Sequence, residues 1–176
     1  MAWLPRLKIH RHFSKDVSRE ELFARPGFDE LARGTVFHEA LAGLAGGRLA
    51  PGDAARAALA LHAASLPADP AERGRLLAQV EDALAWVLAR PDLAEAVAAR
   101  LAEQSILDAE GNLHRADLVA LLPDRAVVLE YKTGGADPAY AEQVRRYLGL
   151  LAQADPARPA RGFLVFLDRR VVEEVA

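Results

Sequence analysis

Three short apolar runs near residues 103–108, 113–122 and 125–132, separated by "DAEGN" and "LPDR", constrain this chain more than any other feature. Runs of that length, broken by Gly, Asn, Pro and Asp, read as strands joined by hairpin turns. They lie between two helical regions. Before them, 28–46, 53–66, 70–90 and 91–101 carry apolar residues at helical spacing, with Phe37, Leu41 and Leu44 forming the stripe of the first. "AGG" ends that helix, and Pro91 suits the first turn of the last. After them, 138–153 returns to helical periodicity, "GFLVFL" at 162–167 reads as a buried strand, and "RRVVEEVA" offers one more. Helices, three strands, a helix and a strand predict an α/β or α+β core around one mixed sheet. Residues 1–27 are polar and basic and read as an irregular arm or connector. Its Lys8, Arg11, Lys15 and Arg19 are expected to be solvated connector charges.

The chain has 176 residues, enough for one domain with a real core. There are no cysteines, which excludes disulfides, thiolate metal sites, a cysteine nucleophile and any iron–sulfur cluster, and fits a cytoplasmic setting. No window approaches the length of an apolar membrane span, and the start has no signal-peptide core. The net charge is −3, so any attraction to nucleic acid must come from a local patch or from another chain. Of 22 basic residues only Lys8, Lys15 and Lys132 are lysine. A lysine inside an apolar strand is conspicuous against that arginine bias.

That lysine lies in "LEYKTG". Glu130 and Lys132 are two apart and therefore share one face of a strand. A hairpin turning near Pro123–Asp124 brings Asp117, thirteen residues before Glu130, opposite it. Two opposed carboxylates repel. A divalent cation between them removes the conflict, and oxygen ligands suit Mg²⁺ or Mn²⁺. Lys132 beside them can hold a water or neutralise a phosphate, an arrangement suited to metal-assisted phosphodiester hydrolysis. Gln143 and Tyr147, four apart on the later helix, share a face and can bond a phosphate or a metal-bound water. His38 on the first helix is a fourth metal-site candidate. Three readings stay open on these residues: a metal-dependent hydrolase, a catalytically silent module that binds DNA or a partner protein, and a structural domain with coincidental motifs.

Taken in order, "GTVFH", "RADLV", "EYKTG" and "QVRRY" resemble the RecB/AddA-type nuclease domain of the PD-(D/E)xK superfamily. The resemblance implies a restriction-endonuclease-like α/β core over 28–176: a central mixed sheet flanked by helices, with an Ala-rich helical insert at about 47–101. It implies that His38, Asp117, Glu130 and the backbone carbonyl of Tyr131 bind Mg²⁺ or Mn²⁺. Lys132 would be the catalytic lysine, with Gln143 and Tyr147 near the phosphates and Glu103 and Arg115 as accessory residues. Glu130 stands where many relatives have Asp, and His114 where many have a small residue. The lack of cysteine disfavours branches with an iron–sulfur staple. The implied activity is a deoxyribonuclease acting on single-stranded DNA in double-strand-break repair and recombination. In that branch the domain usually follows a helicase motor. The chain has no G-x-x-x-x-G-K-[ST] loop, so the motor is expected in cis or as a subunit of a helicase–nuclease complex.

Overall fold

The computed structural model describes residues 28–107 and 111–176, with the side chains of 28, 29, 100–105 and 107 left out. The basic arm expected over 1–27 and part of the "DAEGN" turn lie outside the described residues, as does the side chain of Glu103.

Helix α1 (Phe28–Leu44) buries Val36, Phe37, Ala40, Leu41 and Leu44, the face that the apolar spacing marks out. A short 3-10 turn at Ala45–Gly47 ends it. Helix α2 (Pro51–Leu61), a second 3-10 turn at Ala63–Ser65, α3 (Pro70–Leu88) and α4 (Pro91–Ala98) complete the helical region. Each of these three helices opens on a proline, whose missing N–H is no loss in the first turn. The helix expected over 53–66 starts and stops earlier than the spacing predicts, and its last residues tighten into 3-10 geometry.

Strands β1 (Arg100–Leu107), β2 (Leu113–Leu121) and β3 (Ala126–Lys132) follow, then α5 (Pro138–Ala154), β4 (Ala160–Phe166) and β5 (Val171–Val175). They form one five-stranded sheet in the order β1-β2-β3-β4-β5. All neighbours are antiparallel except β3 and β4, which are parallel, so the sheet is mixed. The β2–β3 turn closes with Leu122 N–H on the Arg125 carbonyl at 2.8 Å, at the predicted Pro123–Asp124 position. A parallel pair needs a crossover, and α5 supplies it.

The sheet is covered on both faces. On one, Leu84, Val87, Leu93 and Val97 of the helical region share a continuous core with Leu118, Leu129, Tyr131, Phe163 and Val165. On the other, Tyr147 of α5 packs on Val119 and Val128, and Val144 packs on Leu164 and Phe166. Strand β3 is therefore buried on both sides from Ala126 to Tyr131. Each large apolar side chain so buried contributes about 1.5–3 kcal/mol. The fold is the mixed-sheet, helix-flanked, restriction-endonuclease-like architecture expected.

The start of α5 matters because this helix carries Gln143 and Tyr147. Asp137 caps it, its carboxylate accepting the Ala139 N–H at 2.8 Å, and Pro138 follows in the first turn. Asp137→Ala should lower stability by about 1 kcal/mol. Thermal denaturation followed by circular dichroism should show the midpoint falling by about 2–4 °C. An unchanged midpoint would show that the cap is replaced by water at no cost.

Candidate active site

Strands β2 and β3 are held by a regular ladder whose last pair toward the site is Leu118 with Leu129. Continuing that register sets Asp117 level with Glu130, as the hairpin spacing predicts. There the Asp117 side chain takes over from the ladder: its Oδ2 accepts the Tyr131 backbone N–H at 2.8 Å. Its Oδ1 lies 3.0 Å from His38 Nδ1. One carboxylate thus ties α1, β2 and β3 together at a single point.

Glu130 is only 3% exposed, so its pair with Lys132 is not a surface contact. Its Oε1 accepts from Lys132 Nζ at 2.8 Å. Its Oε2 is buried with no hydrogen-bond partner. Burial and the neighbouring Asp117 charge push the Glu130 carboxyl up, and Lys132 only partly offsets them. Burial alone would pull the His38 imidazole down, but the bond to Asp117 and the charges of Asp117 and Glu130 outweigh it, leaving a raised pKa. The Tyr131 ring, fully buried, stands edge-on to His38 at 6.3 Å and backs the imidazole.

Lys132 is gripped from three sides. Besides Glu130, its Nζ reaches Gln143 Oε1 at 3.4 Å and sits 4.4 Å from the centre of the Tyr140 ring. A cation over an aromatic face is attracted by the ring quadrupole. Gln143 donates in turn to the Tyr147 hydroxyl at 2.7 Å, and that hydroxyl donates to the Arg115 backbone carbonyl. Tyr147 is buried, and its hydroxyl is spent inside the protein. The pair Gln143–Tyr147 therefore reaches the site by steadying Lys132. The Arg115 side chain is exposed, and its backbone carbonyl enters this network. Glu103 lies on β1, where the flanking pairs Ala102–Leu118 and Gln104–Ala116 put its backbone level with Asp117.

An open groove of about 530 Å³ runs past this cluster, lined by Leu31, Gly34, Thr35, His38, Lys132 and Thr133 among others. Its walls are α1 and the exit of β3. They meet closely, since a Cβ at Gly34 would stand 3.0 Å from Thr133 Oγ1, which gives the glycine of "GTVFH" a physical reason.

The donor set has the chemistry of a hard-cation site: two carboxylates, a backbone carbonyl in β3 and an imidazole. The buried Glu130 Oε2 has no hydrogen-bond partner, and a cation is the kind of group that would satisfy it. Among the described residues no three His, Cys, Asp or Glu side chains converge as a ready-made metal cage.

Sequence reasoning missed three participants. Tyr140 under Lys132 carried no signal beyond a helix-start aromatic. The other two, Arg33 and Asp168, bracket the end of β3: Asp168 accepts the Gly134 N–H and a forked pair of bonds from Arg33. Neither interrupts an apolar run, which is the feature that exposes Asp117 and Lys132 in the sequence.

Among the described residues no helix is long and apolar enough to cross a membrane. Comparison with curated proteins returns no significant match. A scan against protein families matches residues 11–176 to the PD-(D/E)XK nuclease superfamily, a span that takes in α1, the whole sheet and α5. With that match over nearly its full length, and with paired carboxylates and a lysine at the fork of its central strands, the chain belongs to the PD-(D/E)XK nuclease superfamily.

Proposed function

We propose that this protein is a Mg²⁺- or Mn²⁺-dependent deoxyribonuclease of the RecB/AddA type. The observation that carries the proposal is Glu130: a carboxylate buried beside Asp117, with one oxygen on Lys132 and no hydrogen-bond partner for the other. Burying an unsatisfied carboxylate costs stability and has no structural return. It makes sense as half of a cation site. Asp117, Glu130, the Tyr131 carbonyl and His38 would hold the ion, the imidazole exchanging its contact with Asp117 for the cation. A divalent cation held there would supply a more acidic bound water and offset the charge that builds on the phosphate.

The chain's own groups supply the rest. Lys132 has three donors. Glu130 and Gln143 take two, which leaves the third for the attacking water or a phosphate oxygen. Tyr140 and the Gln143–Tyr147–Arg115 relay hold the ammonium still, so little reorganisation is needed when charge develops. The groove admits a strand of DNA along α1. Water adds to phosphorus, the ester oxygen leaves, and one phosphodiester yields a phosphate monoester and an alcohol.

The RecB/AddA assignment is supported by the ordered set "GTVFH", "RADLV", "EYKTG", "QVRRY". The net charge of −3 fits a nuclease to which a helicase delivers single-stranded DNA, since little affinity of its own is then required. The test is direct. Linear single-stranded DNA incubated with the protein and Mg²⁺ or Mn²⁺ should be shortened, and EDTA should stop the reaction. DNA binding without cleavage and without calorimetric uptake of either cation would replace this reading with that of a silent binding module.

A further inference from the structure

The end of β3 is held by two consecutive residues that lie just past β4. Leu167 N–H donates to the Lys132 carbonyl at 2.9 Å. Asp168 Oδ2 accepts the Gly134 N–H at 2.8 Å, at a glycine with φ of 95°. The backbone is thus pinned on both sides of the turn that follows the lysine. The same Asp168 carboxylate is gripped by both terminal nitrogens of Arg33, with Nη1 at 3.2 Å from Oδ2. Arg33 is braced in its turn by Gln79, 3.4 Å from its Nε, and by the Phe37 ring 5.0 Å below its guanidinium. Its hydrogen bond, helped by the Gly134 N–H, holds the Asp168 carboxyl below the usual carboxylate range against a modest burial penalty, so the pair is ionic at neutral pH.

Arg33 and His38 ride on one rigid helix, and Gly134 lies two residues beyond Lys132. A bidentate arginine–carboxylate contact fixes distance and orientation together. On the inner side α1 comes close enough to Thr133 that a Cβ at Gly34 would stand 3.0 Å from its Oγ1. We propose that Asp168 is a positioning residue: by joining Arg33 of α1 to the backbone after β3, it sets how far the His38 end of the site stands from Lys132. This rests on the nuclease reading for its kinetic consequence but not for its geometric one.

The test uses the full chain with Asp168→Asn, Arg33→Lys and the double variant. Glu174→Gln is the control, since it removes an equally forked Arg–carboxylate pair, Arg161–Glu174, far from the site. Supporting residues of this kind cost about 10–100-fold when lost. The expected results are kcat on single-stranded DNA lower by about tenfold or more in both single variants, and KM within about twofold of the parent. The double variant should be no worse than the more impaired single one, because the two residues act through one contact. In cation-free protein the His38 ring resonances should shift in both single variants. Arg33→Lys keeps the charge, so a shift there reports geometry and not a changed field. Glu174→Gln should leave kcat and the His38 resonances as they are. Parental kcat and unshifted His38 resonances in Arg33→Lys and Asp168→Asn would overturn the proposal. If the parent cleaves nothing, the nuclease reading fails and the His38 resonances alone decide the positioning claim. If Asp168→Asn does not fold, Arg33→Lys carries both readouts.

Discussion

Lys132→Ala should reduce DNA cleavage by about 10²–10³-fold, the usual cost of removing one charge-stabilising donor, while divalent-cation binding stays intact or tightens. The two halves of this expectation come from the same contact. Lys132 Nζ lies 2.8 Å from Glu130 Oε1, so ammonium and cation compete for one carboxylate. Removing the ammonium leaves Glu130 beside Asp117 with no positive neighbour on that oxygen, and a divalent ion then meets less opposition. Asp117→Ala should behave differently. It releases His38 and the Tyr131 N–H together, and both cleavage and cation binding should be lost. Calorimetric titration with Mn²⁺ beside an assay on linear single-stranded DNA separates the cases. Near-parental cleavage by Lys132→Ala, or its failure to bind Mn²⁺, would sink the assigned roles.

Gly162→Ala should be the most damaging small substitution in the sheet. Gly162 lies on β4 directly beneath α5. A Cβ there would stand 2.4 Å from Val144 Cγ1 and 3.1 Å from Leu148 Cδ1. Val144 is fully buried and β-branched, so in a helix its side chain has one comfortable rotamer and cannot swing away. The helix must lift instead. Overpacking of this kind costs about 1–3 kcal/mol, and a contact this close belongs at the upper end. In urea the unfolding midpoint should drop with its slope unchanged. Activity should fall as well, because Val144 is next to Gln143, and lifting α5 draws Gln143 and Tyr147 away from Lys132 and the Arg115 carbonyl. A loss of less than about 0.5 kcal/mol, the range of ordinary surface changes, would mean that the two layers are looser than they stand here.

Much of this arrangement is legible in the residues because it breaks local rules. A carboxylate and a lysine inside apolar strands advertise themselves, and a Pro–Asp turn fixes the hairpin that aligns Asp117 with Glu130. That β4 is a buried strand follows from an apolar run too continuous for a half-exposed one. Other parts obey local rules and so stay hidden. β1 begins at Arg100, not near 103, and α4 stops at Ala98, not at 101. "AVAARLAEQ" consists almost wholly of good helix formers, and only pairing of Leu101 and Ala102 with Val119 and Leu118 overrides that preference. The Tyr147 hydroxyl ends on a backbone carbonyl, which no side-chain pattern encodes. Asp168 is one of 25 acidic residues, sits in a turn and breaks no periodicity, so only the fold reveals what it joins.

The two carboxylates of the site are exposed to selection very differently. Asp117 is also a structural splice, since it replaces the ladder where β2 and β3 part and anchors α1 through His38. A relative without nuclease activity would still gain stability by keeping it. Glu130 offers less return, because its bond to Lys132 is offset by burial and by a second oxygen with no hydrogen-bond partner. Once cleavage ceased to matter, drift would remove Glu130 first, most readily to an apolar residue of similar size, and Lys132 soon after. Retention of Asp117 in a relative is therefore weak evidence of a working enzyme, whereas retention of Glu130 is strong.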